Sequence, residues 1–198
     1  DTISKYPNIS RHLHLPLQSG SNRILKLMNR KYTYEIYKQL VEKIRKKIPN
    51  IAITTDLIVG FPTETEKDFR ETLNAVEEIK FDSAFVFKYS PRKGTKAAEL
   101  PDDVPKEVKE ERHYKLLTLC DTIAAEINKS YINNIVECLI TDRISKRNNS
   151  IKLVAKTLTN KTVEIEIPED NETDYIGKFF NVKIVGSKLH TLIGQLQT

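Results

Sequence analysis

Between residues 11 and 131, short β-type runs alternate with runs of helical period, and this alternation constrains the fold more than any other feature of the chain. Repeated strand-helix units build a parallel sheet, because parallel neighbours need a long crossover and a helix supplies it. Three units are readable, with strands expected at residues 12–18, 51–60 and 82–90. The helices are expected at 22–29 together with 34–47, at 66–79, and at 106–131. Tyr37, Leu40, Val41, Ile44 and Ile48 fall on one helical face, as do Phe69, Leu73, Val76 and Ile79.

After Asn133 the period changes to short alternating runs at 135–141, 151–158, 162–167, 179–185 and 191–197. Five such strands with Asn-rich punctuation read as a small antiparallel β-barrel. The expected domains are therefore 1–132, an α/β partial barrel of three βα units, and 133–198, the small β-barrel. The chain opens on Asp1 within polar sequence and carries a single methionine, Met28, which suggests a piece of a longer protein.

Side-chain parity locates the chemistry, since alternate residues of a strand face opposite sides. His12, His14, Pro16 and Gln18 share one face of the first strand, and Thr54 and Asp56 oppose Ile53, Leu57 and Val59 in the second. In the third, Lys88 and Ser90 oppose Phe85, Phe87 and Tyr89. Strands covered on both faces by helices are apolar on both. One polar face instead suggests a barrel whose lumen binds a polar ligand, with Asp56 and Lys88 facing it. The bland alternative for those two is a structural ion pair between neighbouring strands.

The segments after the strands, Gln18-Ser19-Gly20-Ser21, Gly60-Phe61-Pro62-Thr63 and Ser90-Pro91-Arg92-Lys93-Gly94-Thr95, lie on one rim, where parallel barrels place their sites. Glycine there lets the backbone approach a ligand closely, although Gly20 can equally serve only the turn. Thr63 and Glu66 have capping-box spacing and can serve only a helix entry. His12 and His14 lack a third ligand, so no metal is expected there. Cys120 and Cys138 have neither metal-ligand nor disulfide spacing and read as buried fillers.

The longer text then becomes specific. His14-Leu-Pro-Leu-Gln-Ser-Gly-Ser21, Leu25-Lys-Leu-Met-Asn-Arg-Lys-Tyr-Thr33, Ile53-Thr-Thr-Asp-Leu-Ile-Val-Gly-Phe-Pro62 and Phe81-Asp-Ser-Ala-Phe-Val-Phe-Lys-Tyr-Ser-Pro-Arg-Lys-Gly-Thr95 occur in this order. Together they resemble the second half of the radical domain of the radical S-adenosylmethionine methylthiotransferases. The small barrel resembles a degenerate TRAM domain. The third-strand text is most like the branch that methylthiolates isopentenyl-adenosine beside the tRNA anticodon. Sister branches act on threonylcarbamoyl-adenosine or on a ribosomal protein.

The resemblance implies S-adenosylmethionine and two 4Fe-4S clusters as cofactors of the intact enzyme. The family's Cys-x-x-x-Cys-x-x-Cys motif is absent from this sequence, so no cluster is expected in this chain and the chain alone is expected to be inactive. It implies Gln18, Ser19, Asp56, Gly60, Ser90 and Pro91 as cofactor-site residues, with Lys88 in the lumen and Arg92 at the rim as substrate- or RNA-binding residues. Arg143, Lys146, Arg147 and Lys152 form a basic cluster around one hairpin of the small barrel, suited to RNA phosphates or serving only as a solvated turn. Nine basic against eight acidic residues from Asn134 onward make that domain only mildly basic.

The formal charge of +5 and pI near 9.0 permit tRNA as a partner without requiring it. No segment reaches the roughly 20 apolar residues of a membrane span, and the amino end lacks a signal-peptide core, so a cytoplasmic setting with no membrane partner is expected. A severed barrel has open edges, which makes dimerisation of the truncated sheet a further expectation. Two competing readings remain at this point, a stand-alone RNA-binding module and an aldolase-like barrel using Lys88 as a Schiff-base nucleophile.

Overall fold

The structure is a computed structural model and describes residues 1–145, 150–168 and 174–197. Its elements in chain order are α1 (Thr2–Lys5), β1 (His12–His14), α2 (Asn22–Leu27), α3 (Tyr34–Lys47), β2 (Ala52–Val59), α4 (Glu66–Ile79), β3 (Ser83–Lys88), a 3-10 turn at Lys96–Glu99 and α5 (Lys106–Lys129). The strands β4 (Ile135–Ser145), β5 (Ser150–Thr157), β6 (Thr162–Pro168), β7 (Phe179–Ser187) and β8 (Thr191–Leu196) follow. Two compact units result, residues 13–123 and residues 1–12 with 124–198.

In the first unit β1, β2 and β3 lie side by side in that order, with β2 and β3 parallel in register from Thr54 opposite Ser83 to Val59 opposite Lys88. The first strand is shorter than the expected 12–18. Pro16 has no N–H to give, and Leu17 donates its own to the Thr55 hydroxyl instead of a strand carbonyl. Pairing returns only at Gln18, whose N–H donates to Asp56 O while its carbonyl accepts from Ile58 N.

One face of the sheet is closed. Ile53, Thr55, Leu57 and Val59 of β2 are buried, with Tyr37 and Val41 of α3 and Phe69, Val76 and Ile79 of α4 also in the core. Leu40, expected on the buried face of α3, stays exposed: the stripe of that helix is narrower than its apolar pattern. Arg45 of α3 donates to Ile79 O and Lys80 O, satisfying carbonyls that the end of α4 would leave orphaned. Lys80 itself adopts the left-handed cap conformation, φ 53°.

The other face is open, and here the third-strand parity differs from expectation. Register sets Phe85 opposite Asp56 and Phe87 opposite Ile58, so both rings share the Asp56 face. They are 59% and 51% exposed and stack with centroids 6.5 Å apart. Lys88 falls on the opposite face with Val59, and its Nζ lies 3.7 Å from Glu110 Oε1 of α5. At the entry to β3, Ser83 and Ala84 are too small and neutral to reveal which parity is buried.

In the second unit the five strands close in the order β4-β5-β6-β8-β7. The barrel was expected to be antiparallel throughout, but β6 and β8 pair parallel, Thr162 opposite Thr191 through Ile165 opposite Gly194. This pair lets the last strand close the barrel. Inward residues such as Cys138, Ile140, Leu153, Val163, Ile165, Val182 and Ile184 form the core. A Cβ on Gly194 would stand 2.3 Å from Val182 Cγ1, so that core has no room for a side chain there. Residues 1–12 join this unit through Arg11, whose N–H donates to Leu158 O.

Candidate functional site

The carboxyl ends of the three parallel strands meet on one rim. Gln18 bridges to Leu57, and Tyr89 N–H donates to Val59 O, so the segments beginning at Gln18, Gly60 and Ser90 leave the sheet at the same end. Gln18 is buried and holds φ 73°, a left-handed backbone that a non-glycine residue adopts only when its surroundings enforce it. Its backbone is fixed by the Asp56 and Ile58 bonds, while its side-chain amide has no hydrogen bond among the described residues. The same holds for the Ser90 hydroxyl, and Pro91 and Arg92 beyond it are exposed.

Asp56 lies just below the rim on the open face. Its Oδ2 is 3.4 Å from His14 Nε2, and His14 Nδ1 is 3.0 Å from the Thr54 hydroxyl. Asp56 therefore pairs with His14, and the ion pair weighed for Asp56 and Lys88 does not form. Lys88, on the other face beside Glu110, does not reach the lumen side that both the substrate-binding and Schiff-base readings required.

Two of the three rim glycines, Gly20 and Gly60, serve packing. A Cβ on Gly20 would stand 2.4 Å from Glu71 O and 2.6 Å from Thr72 Cα, so this glycine admits the backbone of α4, a role that neither the turn nor the ligand reading of the sequence named. Ser19 is fully buried; its hydroxyl accepts from Ser21 N and lies 3.3 Å from Thr72 Oγ1. Gly60, φ 69°, is crossed by Lys109, whose Cγ would lie 2.3 Å from an added Cβ. Ser19 and Gly60 thus shape the rim by anchoring it.

Two polar networks at the rim were not expected. Glu64 accepts from Gly60 N at 2.7 Å and from Arg112 Nη1 at 2.8 Å, and both side chains are almost wholly buried. Burial raises the Glu64 pKa, against the opposing effect of the Gly60 N–H and the guanidinium. Breaking such a pair leaves a buried charge alone, which costs far more than the pair contributes.

The second network gathers on Asp68. Ser21 Oγ donates to it at 2.6 Å, Arg23 donates from Nε and Nη2, and Thr65 donates from both its N–H and hydroxyl. Burial pushes this carboxyl up, but the bonds from Arg23, Ser21 and Thr65 outweigh it and hold the group well below the usual range. The helix entry is therefore Thr65 with Asp68, a complete capping box, in place of Thr63 with Glu66. Both pairs have the same spacing; Thr63, at φ 66°, cannot be the extended N-cap. Its hydroxyl and carbonyl accept from Arg23 instead.

In the barrel unit Arg143 is exposed beside Asp142, and Lys152 Nζ is 3.1 Å from Glu164 Oε1. Glu164 also takes Lys188, and these lysines hold its carboxyl below the usual range. Lys146 and Arg147 lie outside the described residues. The cysteines are buried, and burial pushes both thiols up to about 12. Thiolate is the ligand form of cysteine, so neither side chain suits an iron-sulfur cluster. Among the described residues no group of three or more His, Cys, Asp or Glu could hold a metal ion, and no helix is long and apolar enough to cross a membrane.

Comparison with known proteins adds to this geometry. The Radical SAM superfamily model matches residues 1–76. The tRNA-2-methylthio-N(6)-dimethylallyladenosine synthase of Caldicellulosiruptor saccharolyticus is 50% identical over 95% of this chain and 38% of its own length. The proteins of that name from Alkaliphilus oremlandii and Bacillus cytotoxicus are 45% and 47% identical over 99% of the chain, covering 40% and 37% of their lengths. Among solved structures, coproporphyrinogen III oxidase (HemN) from Escherichia coli, described as a radical SAM enzyme, covers 87% of this chain and 41% of its own at 15% identity and a TM-score of 0.48. At that score the likeness decides nothing about the fold. The chain is thus similar to the Radical SAM superfamily over residues 1–76, and it spans about two fifths of the length of the tRNA-2-methylthio-N(6)-dimethylallyladenosine synthases it matches.

Proposed function

We propose that the protein carrying this chain methylthiolates an adenosine of tRNA, as the names of its relatives state for them, with the isopentenylated adenosine as substrate. The observation that carries the reading is identity of 45–50% running through both units and 95–99% of the chain. In this reading S-adenosylmethionine binds at the rim formed by Gln18, Ser19, Gly60, Ser90 and Pro91, and supplies the radical and methyl chemistry when bound. The fit rests on the Gln18 amide and Ser90 hydroxyl, both free of protein partners among the described residues, and on the open sheet face that carries Asp56. Asp56, oriented by His14, offers acceptor oxygens beside that rim.

In this reading neither Cys120 nor Cys138, both buried, holds the iron-sulfur clusters that the family uses. The small barrel, read as a degenerate TRAM domain, contributes backbone contacts to tRNA through Arg143; Lys152 is already engaged by Glu164. Arg92, exposed at the rim, remains a candidate for the target nucleotide.

Deleting the gene and digesting bulk tRNA to nucleosides tests the assignment. Loss of the 2-methylthio form with accumulation of isopentenyl-adenosine is expected. Loss of the methylthio form of threonylcarbamoyl-adenosine instead would assign the sister substrate, and an unchanged nucleoside profile would remove tRNA methylthiolation as the function.

A further inference from the structure

We propose that a cavity between the β1 and β3 rim segments is a binding site for an RNA phosphodiester; this rests on the reading of the protein as a tRNA-modifying enzyme. The cavity has a volume of about 710 Å3 and is lined by Arg23, Lys26 and Asn29 from one segment and by Thr95 and Lys96 from the other. Three cations line it and no carboxylate does. The Arg23 charge is matched by Asp68, whose bonds also fix the direction of the guanidinium. Lys26 and Lys96 are exposed and have no carboxylate partner among the described residues, so they leave the cavity with two uncompensated positive charges.

Both lysines stand on fixed backbone. Lys26 belongs to α2, pinned by the fully buried Ile24 and Leu25. Lys96 opens the 3-10 turn that Thr95 caps, the Thr95 hydroxyl accepting from Ala98 N and donating to Arg92 O. Such lysines act as point charges toward phosphate oxygens, and Asn29 and Thr95 add neutral hydrogen-bonding groups. Two ammonium groups without a converging nest of backbone N–H groups hold a lone phosphate weakly. They suit one position of a polyanion that is also held elsewhere.

The test uses the 198-residue chain and labelled unmodified tRNA, with affinity measured by fluorescence anisotropy from low to moderate salt. The double variant Lys26→Gln, Lys96→Gln is expected to bind about tenfold more weakly at 0.1 M salt. Its slope of log affinity against log salt should be shallower by about 1.4–1.8, the value for two lost phosphate contacts. Both positions are exposed, and an unchanged thermal melt checks that the variant folds. Unchanged affinity and slope in the variant, with the parent chain binding, would overturn the cavity assignment alone. No binding by the parent would overturn it together with the RNA reading of the chain. Inorganic phosphate that competes far better than chloride at equal ionic strength would make this a free-phosphate site and also overturn the proposal.

Discussion

Asp68 accepts from Ser21, Arg23 and Thr65, and so ties the segment after β1 to the entry of α4 through one carboxylate. Its folded pKa lies below the value of about 3.9 for an unfolded aspartate. The stability it contributes is therefore fully present above about pH 4 and is lost as the pH falls toward the folded value. Asp68→Asn should cost about 1.5–3 kcal/mol at pH 7, the range for hydrogen bonds to a charged group. Urea denaturation of parent and variant at pH 7 and pH 3 should show the difference shrinking at the lower pH; an equal difference at both would show that the charge is not what holds the loop. Gly20→Ala acts differently, since its Cβ meets backbone that cannot rotate away. We expect a loss of about 3 kcal/mol at any pH, read from the same denaturation curves. Neither dependence was legible in the sequence. Gly20 looked like a turn or ligand glycine, and Thr63 with Glu66 could not be told from Thr65 with Asp68 until the backbone excluded Thr63.

At the scale of elements, helices were legible wherever one face alone is apolar, as in α3 and α4, and the barrel strands wherever alternation was strict, as in β5. Strand edges and parity were less so. Pro16 ends the regular pairing of β1, and β3 begins with residues that suit either face. The consequence reached the site: Lys88 was expected in the lumen, and Phe85 and Phe87 stand there instead. The open face they form should contribute to self-association and little to stability. Replacing both with serine should shift unfolding by no more than about 0.5 kcal/mol, as for other surface changes. Sedimentation at several concentrations should show any self-association of the parent weakened in this variant. A variant that unfolds readily would instead place both rings in the core.

The whole chain joins a βα unit, whose rim gathers strand ends, to a closed barrel bearing exposed cations, and its similarity to longer tRNA-modifying relatives runs through both. The residues that converge on the rim, Gln18, Gly60 and Ser90, were readable from strand ends alone, because parallel strands deliver their carboxyl ends to one side. What holds them there, the Glu64 and Arg112 pair and the Lys109 crossing, comes from a helix about 50 residues further along, and no local pattern announces it. The central claim is that this rim is the cofactor site. Backbone amide shifts of the isotopically labelled chain, titrated with S-adenosylmethionine, address it residue by residue. The account predicts saturable shifts at residues 18–21, 60–61, 90 and 92, with the barrel strands unmoved. No shift at millimolar cofactor, or shifts confined to residues 135–197, would contradict it.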